Sequence, residues 1–242
     1  MGLPPIIGTY NGINYYMRKG KQCQRKAGGG FTREGIKNNP KMQGIRDRNT
    51  EMAECSKFNA DFKSALFPFL KEINDGTLHE RLMKLLMKIR LLDEAAEGER
   101  TAGAGLKSDA GRRQLSDFKF TGGPNTRDIL SSSYDFDVKK GTLKVSSFDS
   151  ARLKFPKGTT HLFLDYGVLE YDVKGNRFRF LQNDKTLTIA KGDEMQDLFL
   201  EVTEKPKKGR LVFGIVKVQF YEKLPDAFYK SFAKGALGIG VV

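Results

Sequence analysis

Two apolar periods divide most of this chain. Between residues 50 and 92 apolar side chains recur every three or four positions, and from Phe118 onward they alternate with polar ones. Phe58, Phe62, Ala65, Leu66, Phe69 and Ile73 form one stripe, which predicts an amphipathic helix over 50–74. Glu51 and Glu54 fall in its first turn, where the helix dipole favours negative charge. Pro68 lies inside the pattern and predicts a kink or split near Leu66, because proline lacks the N–H that a helix interior needs. Asp75-Gly76-Thr77 then breaks the stripe. Thr77 and Glu80 have the spacing of a capping box and predict a second helix, with Leu78, Leu82, Leu85, Leu86, Ile89 and Leu92 on its apolar side. So short a break predicts an antiparallel helical hairpin.

The alternating half carries Phe118/Phe120, Tyr134/Phe136/Val138, Leu143/Val145, Leu162/Leu164, Phe178/Phe180, Leu187/Ile189 and Leu198/Leu200/Val202. Leu211 to Tyr221 reads as a central strand. Turn signals separate these runs, among them Lys140-Gly141, Lys174-Gly175-Asn176, Lys191-Gly192-Asp193 and Lys208-Gly209. Short strands at roughly 8–12-residue spacing predict an antiparallel β-sandwich. The last residues, KGALGIGVV, are apolar and predict a pinned last strand or one shared with another subunit.

The first fifty residues follow a third pattern. Ile13, Tyr15 and Met17 alternate with Asn14, Tyr16 and Arg18, and Lys19-Gly20-Lys21 supplies a turn, so residues 12–26 predict a β-hairpin. Ala27-Gly28-Gly29-Gly30 predicts a flexible joint. Asn39-Pro40 predicts a helix start that presents Lys41, Arg46 and Arg48 to solvent. Glu97 to Gly111 is rich in Gly, Ala and charge and reads as a connector. The expected fold is therefore α+β: a basic N-terminal arm with a β-hairpin and a short helical turn (1–49), an α-helical hairpin (50–96), a linker (97–116) and an antiparallel β-sandwich (117–242).

Charge sharpens this division. Residues 1–50 hold ten Lys and Arg against Glu34 and Asp47, a net +8 of the formal +13. Segment 51–115 is balanced, with eleven bases and eleven acids, which suits packing. A concentrated cationic arm implies an anionic partner or a charged interface. No window approaches the roughly 18 apolar residues of a membrane-spanning helix, so no membrane insertion is expected. The N-terminal residues lack the basic stretch and long apolar core of a signal peptide. Ile6 stands where myristoylation requires Ser or Thr. The chain is expected to be cytoplasmic at synthesis and, if it assembles, part of a larger particle.

No catalytic template is legible: the sequence lacks a Walker loop, HExxH, GxSxG and a Cys/His metal set. Gly28–Gly30 lack the Lys and Ser/Thr that would complete a phosphate-cradling loop. His79 and His161 are far apart, and Cys23 and Cys55 read as two free thiols. Asp165, Glu170 and Asp172, and again Asp193, Glu194 and Asp197, cluster in sequence, but such residues also cap turns and keep strands soluble. No enzymatic activity, catalytic residue, metal or cofactor is expected.

The basic arm is the one concentration of candidate chemistry. Arg18, Lys19, Lys21, Arg25, Lys26, Arg33, Lys37, Lys41, Arg46 and Arg48 occur with Tyr10, Tyr15, Tyr16 and Phe31. Cations neutralise phosphates, and interleaved aromatics stack on unpaired bases. The same residues, Tyr15 and Tyr16 included, equally suit contact with a neighbouring subunit. Gly28-Gly29, Arg33, Ile36, Asn39-Pro40, Arg46-Asp47-Arg48-Asn49 and Glu51, with Gly98-Glu99-Arg100, Gly105-Leu106, Phe118-Lys119-Phe120, Phe213 and Val218-Gln219-Phe220-Tyr221, resemble a set of uncharacterised proteins common in Bacteroidetes-type bacteria. The resemblance implies a shared architecture of basic N-terminal hairpin, helical hairpin and β-rich C-terminal half, and implies no activity. The expected function is a non-enzymatic structural protein that self-assembles as a homo-oligomer, its arm touching neighbouring subunits or nucleic acid. The alternative is a DNA- or RNA-binding protein without sequence preference.

Overall fold

Alternation in the first residues produces a small antiparallel sheet: β1 (Gly8–Tyr10), β2 (Ile13–Arg18) and β3 (Lys21–Lys26), in that order. Two-residue turns join them. Asn11-Gly12 (φ 45° and 73°) and Lys19-Gly20 (φ 49° and 75°) lie in the left-handed region that tight hairpin turns require. The sheet was expected to begin at residue 12, and β1 adds a third strand through the Asn11-Gly12 turn. The computed structural model describes residues 5–28, 32–123, 126–130 and 134–242. Gly29, Gly30 and Phe31, part of the expected joint and aromatic set, lie outside the described residues. Helix α1 (Arg33–Asn38) is capped by the Thr32 hydroxyl, which accepts from the Gly35 N–H at 3.0 Å. A 3₁₀ turn, Pro40–Met42, follows, with the Asn39 side chain accepting from the Lys41 N–H at 2.9 Å. Met1–Arg48 form one compact unit and Asn49–Val242 a second.

Helix α2 (Gln43–Ala65) begins in the first unit and supplies the second with Cys55, Phe58 and Phe62 as buried side chains. It stops where the sequence pattern indicates: Leu66 breaks the helix and Pro68 opens α3 (Phe67–Leu70). Helix α4 (Leu78–Ile89) buries Leu78, Leu82, Leu86 and Ile89, one face at spacings of four and three. Its expected capping box does not form. Asp75 takes both the N–H and the hydroxyl of Thr77, each at 2.7 Å, because a carboxylate is the stronger acceptor. Residues 97–116, read as a linker, carry α5 (Ala102–Gly105) and α6 (Asp109–Ser116), and Ala102, Leu106 and Leu115 are buried. Helix α7 is Thr126–Leu130.

Among the described residues nine strands complete the second unit: β4 (Tyr134–Asp137), β5 (Thr142–Phe148), β6 (His161–Asp172), β7 (Arg177–Gln182), β8 (Leu187–Ala190), β9 (Gln196–Glu201), β10 (Leu211–Lys223), β11 (Phe228–Lys230) and β12 (Leu237–Val241). They form a three-stranded sheet, β4-β5-β9, and a six-stranded curled sheet built on the antiparallel pair β6 and β10. That pair runs in unbroken register from Tyr171 opposite Leu211 to His161 opposite Tyr221. Phe118 and Phe120, expected as a strand, have no ladder. Arg81 donates to the carbonyls of Lys119 (2.6 Å) and Phe120 (3.3 Å), and the Phe120 ring packs on Phe62 at 6.1 Å.

The two faces of the central pair bury different partners, as the period of two demands. Leu162, Leu164, Tyr166, Val216 and Val218 share an apolar cluster with Leu143, Val145, Leu198 and Leu200 of the smaller sheet. Leu169, Tyr171, Phe213 and Ile215 share the other with Phe58, Phe62, Leu82 and Leu86 of the helices. The apolar C-terminus is pinned within the chain, β12 pairing with Ile215 to Gln219 of β10. Together these elements make an α+β fold of helices and antiparallel sheets. No helix among the described residues is long and apolar enough to cross a membrane.

Candidate functional site

The sheet of residues 8–26 sorts the candidate residues by face. Pairing sets Asn14 opposite Arg25, Tyr16 opposite Cys23 and Arg18 opposite Lys21, so these six side chains share one face. The guanidinium of Arg25 lies over the Tyr16 ring, 5.7 Å from its centroid, an arrangement that favours the cation. Asn14, Tyr16, Arg18 and Arg25 line a shallow hollow of about 340 Å³. On the opposite face Tyr10, Ile13, Tyr15 and Met17 run together, with Gln22, Gln24 and Lys26 beside them. The structure thus brings Tyr16, Arg18, Lys21 and Arg25 together and puts Tyr15 and Lys26 on the other side. Lys19 sits at the tip of the β2–β3 turn.

The remaining candidates follow on helical turns. Arg33 opens α1, Lys37 lies in its last turn, Lys41 is in the 3₁₀ turn, and all three are exposed. Arg48, near the start of α2, is exposed too. Arg46 departs from its expected exposed position. It is half-buried, and its guanidinium donates to the Ile36 carbonyl at 2.5 Å, the Asn39 carbonyl at 3.1 Å and the Gln43 side chain at 2.6 Å. A cation that satisfies the open carbonyls at the end of α1 fastens that helix to the next. Arg46 thus has a structural role within this unit.

No described residue of this unit is buried. A segment of under fifty residues without a core commonly draws its stability from a disulfide, a metal or a partner. The unit holds a single cysteine, Cys23, whose thiol is free, and neither histidine. Ile6 and Ile7, next to β1, are 60% and 70% exposed, and Tyr10 is 70% exposed. Sequence reading missed this open apolar edge, although its signal is plain: the first charged side chain in the chain is Arg18.

In the second unit Asp165, Glu170, Asp172, Asp193 and Asp197 of the clustered carboxylates have structural partners. Glu170 is fully buried, accepts from the Lys207 N–H and pairs with Arg210 at 3.1 Å. Asp172 caps the turn at Lys174 and Gly175, and the Gly175 N–H holds its carboxyl below the usual range. Asp165 accepts from the Thr186 hydroxyl at 2.6 Å and pairs with buried Lys217 at 3.4 Å. Asp193 accepts from the Ala190 N–H (2.7 Å), and Asp197 from the Ser147 N–H (2.8 Å) at the bulge in β5. Lys217 also meets Glu72, whose carboxyl burial raises but the ammoniums of Lys230 and Lys217 lower further, leaving it below the usual range. Burial pushes the Cys55 thiol up to about 11. Asn59 reaches the His79 ring at 3.2 Å, and His161 opens β6 beside the Thr160 hydroxyl. Among the described residues no group of three or more His, Cys, Asp or Glu side chains could hold a metal ion.

A hollow of about 890 Å³ lies between β9 and the turn that leads into β8. Its rim mixes Lys140, Lys185 and Lys205 with Asp184 and Glu201, so no single ligand charge is selected. Compared with protein-family models, curated proteins and solved structures, the chain matches none.

Proposed function

We propose that this protein is a non-enzymatic structural subunit that self-associates, its N-terminal unit completing itself against a neighbouring copy. The observation that carries this reading is the absence of any buried residue among the described positions of that unit. Ordering a residue costs about 1–2 kcal/mol in backbone entropy, and a small sheet without a covered face recovers little of it. With no internal disulfide available, a protein surface supplies the missing burial. The second unit then acts as the body: its two sheets work as a β-sandwich over their shared cluster, and α2 and α4 as a helical hairpin covering the other face of the larger sheet. The non-enzymatic reading is supported by the carboxylates, which hold turns and ion pairs together. Light scattering after size exclusion tests the proposal. Mass should rise with protein concentration above the 27.2 kDa of one chain, and a single-chain mass up to high micromolar concentration would sink it.

A second reading is favoured by the other face of the same sheet. Tyr16, Arg18, Lys21 and Arg25 combine one stacking surface with three cations, which suits the backbone and unpaired bases of a nucleic acid without base-specific readout. It expects the purified chain to carry excess absorbance at 260 nm, removed by exchanging all three cations for Glu.

A further inference from the structure

Exposed strand edges are templates for pairing, and proteins blunt them with charge or cover them. The described edges of this chain follow that rule with one exception. β3 carries Lys21, Arg25 and Lys26; β4 carries Asp135 and Asp137; β7 carries Arg177 and Arg179; β9 carries Asp197 and Glu201; β11 carries Lys230. β12 is uncharged but mostly buried, and uncharged β8 has one buried, two half-buried and one exposed residue. β1 is uncharged, and all three of its residues are exposed. Residues 1–17 contain no charged side chain, and Ile6, Ile7 and Tyr10 stand open beside that edge.

We infer that the β1 edge is the contact through which a second copy of this chain binds, the two strands pairing antiparallel about a two-fold axis at Thr9. This rests on the self-association reading and names its surface. The backbone geometry selects the residue. Tyr10 and Ile13 flank a two-residue turn and exchange hydrogen bonds across it, so the next pair, Thr9 and Asn14, does not. The N–H and C=O of Thr9 therefore point away from β2, toward the open edge. In an isologous contact each Thr9 N–H donates to the C=O of Thr9 in the second copy, and the two small sheets become one of six strands. Charge chooses this edge over the other. Two β3 edges would set Lys21, Arg25 and Lys26 against their own copies, whereas two β1 edges bring together Gly, Thr and Tyr. The apolar faces carrying Tyr10, Ile13, Tyr15 and Met17 become continuous across the joint.

The test uses the full-length chain and two substitutions at Thr9. Thr9→Pro removes the outward N–H and leaves the β1–β2 ladder its bonds, since proline is tolerated at non-bonding edge positions. Each lost hydrogen bond weakens association roughly fivefold, so two give a dissociation constant roughly twenty-five-fold higher by sedimentation equilibrium. Thr9→Lys keeps the N–H but places like charges across the axis; it should weaken association in low salt and gain more from high salt than the wild-type chain does, an excess that misfolding would not give. A wild-type chain that stays monomeric overturns the self-association reading itself. A wild-type chain that associates, with both variants associating equally well, overturns the β1 contact and leaves self-association to another surface.

Discussion

At the scale of single residues, Glu51 shows how far a local reading reaches. Its place near the start of a helical pattern suggests an exposed acid favoured by the helix dipole. In the fold its side chain is 1% exposed, paired with Arg90 and accepting from the Gly98 N–H at 2.9 Å. One carboxylate thereby joins α2, the end of α4 and the segment leading to α5. Removing one partner of a buried ion pair leaves the other charge without compensation, which typically costs about 3–5 kcal/mol. Glu51→Ala is expected to lower unfolding stability by about 3 kcal/mol or more in a urea titration of the intact chain. A loss below about 1 kcal/mol would place Glu51 among ordinary surface ion pairs.

At the scale of elements, the segment 97–116 carries the clearest test. Its Gly and Ala content reads as a connector, yet the small residues are there for close approach. A Cβ on Gly105 would lie 2.0 Å from the Ile89 carbonyl oxygen, which belongs to backbone and cannot swing aside. Gly105→Ala is expected to destabilise by about 3 kcal/mol through overpacking. Gly122→Ala, with nothing within 4 Å, should stay within about 0.5 kcal/mol in the same thermal melts. Equal effects would mean that α5 does not pack as tightly as it sits here. The stripe of α4, the split at Pro68 and the strands from Tyr134 onward were legible because each buries one face, and a buried face leaves a period in the sequence. The spacing of Phe118 and Phe120 misled because Arg81, 38 residues away, takes the Lys119 carbonyl that a neighbouring strand would otherwise use. The first strand was legible in principle: Asn11-Gly12 is a strong local signal for a two-residue hairpin turn. Arg46 could not be sorted from its neighbours by sequence, since only the placement of the α1 carbonyls gives it a partner.

At the scale of the whole molecule, charge decides between the two readings of the N-terminal unit, because salt acts on them with opposite signs. Ten cations against two acids in residues 1–50 make two such arms repel. Pairing through an uncharged edge gains its energy from backbone hydrogen bonds and apolar contact, so salt leaves the attraction intact and screens the repulsion. The screening length falls from about 10 Å at 0.1 M toward about 3 Å at 1 M. Self-association should therefore strengthen between 50 and 500 mM salt. Nucleic-acid binding runs the other way, since each neutralised phosphate releases a counterion. Three cations, Arg18, Lys21 and Arg25, give a slope of about −2 in log affinity against log salt for a single strand, or roughly a hundredfold loss over that decade. Sedimentation of the chain alone and fluorescence anisotropy with a labelled oligonucleotide, each across the same salt series, read the two slopes independently. An assembly that dissolves as salt rises, in preparations freed of nucleic acid, would mean that the cations themselves make the subunit contact and that the uncharged edge does not.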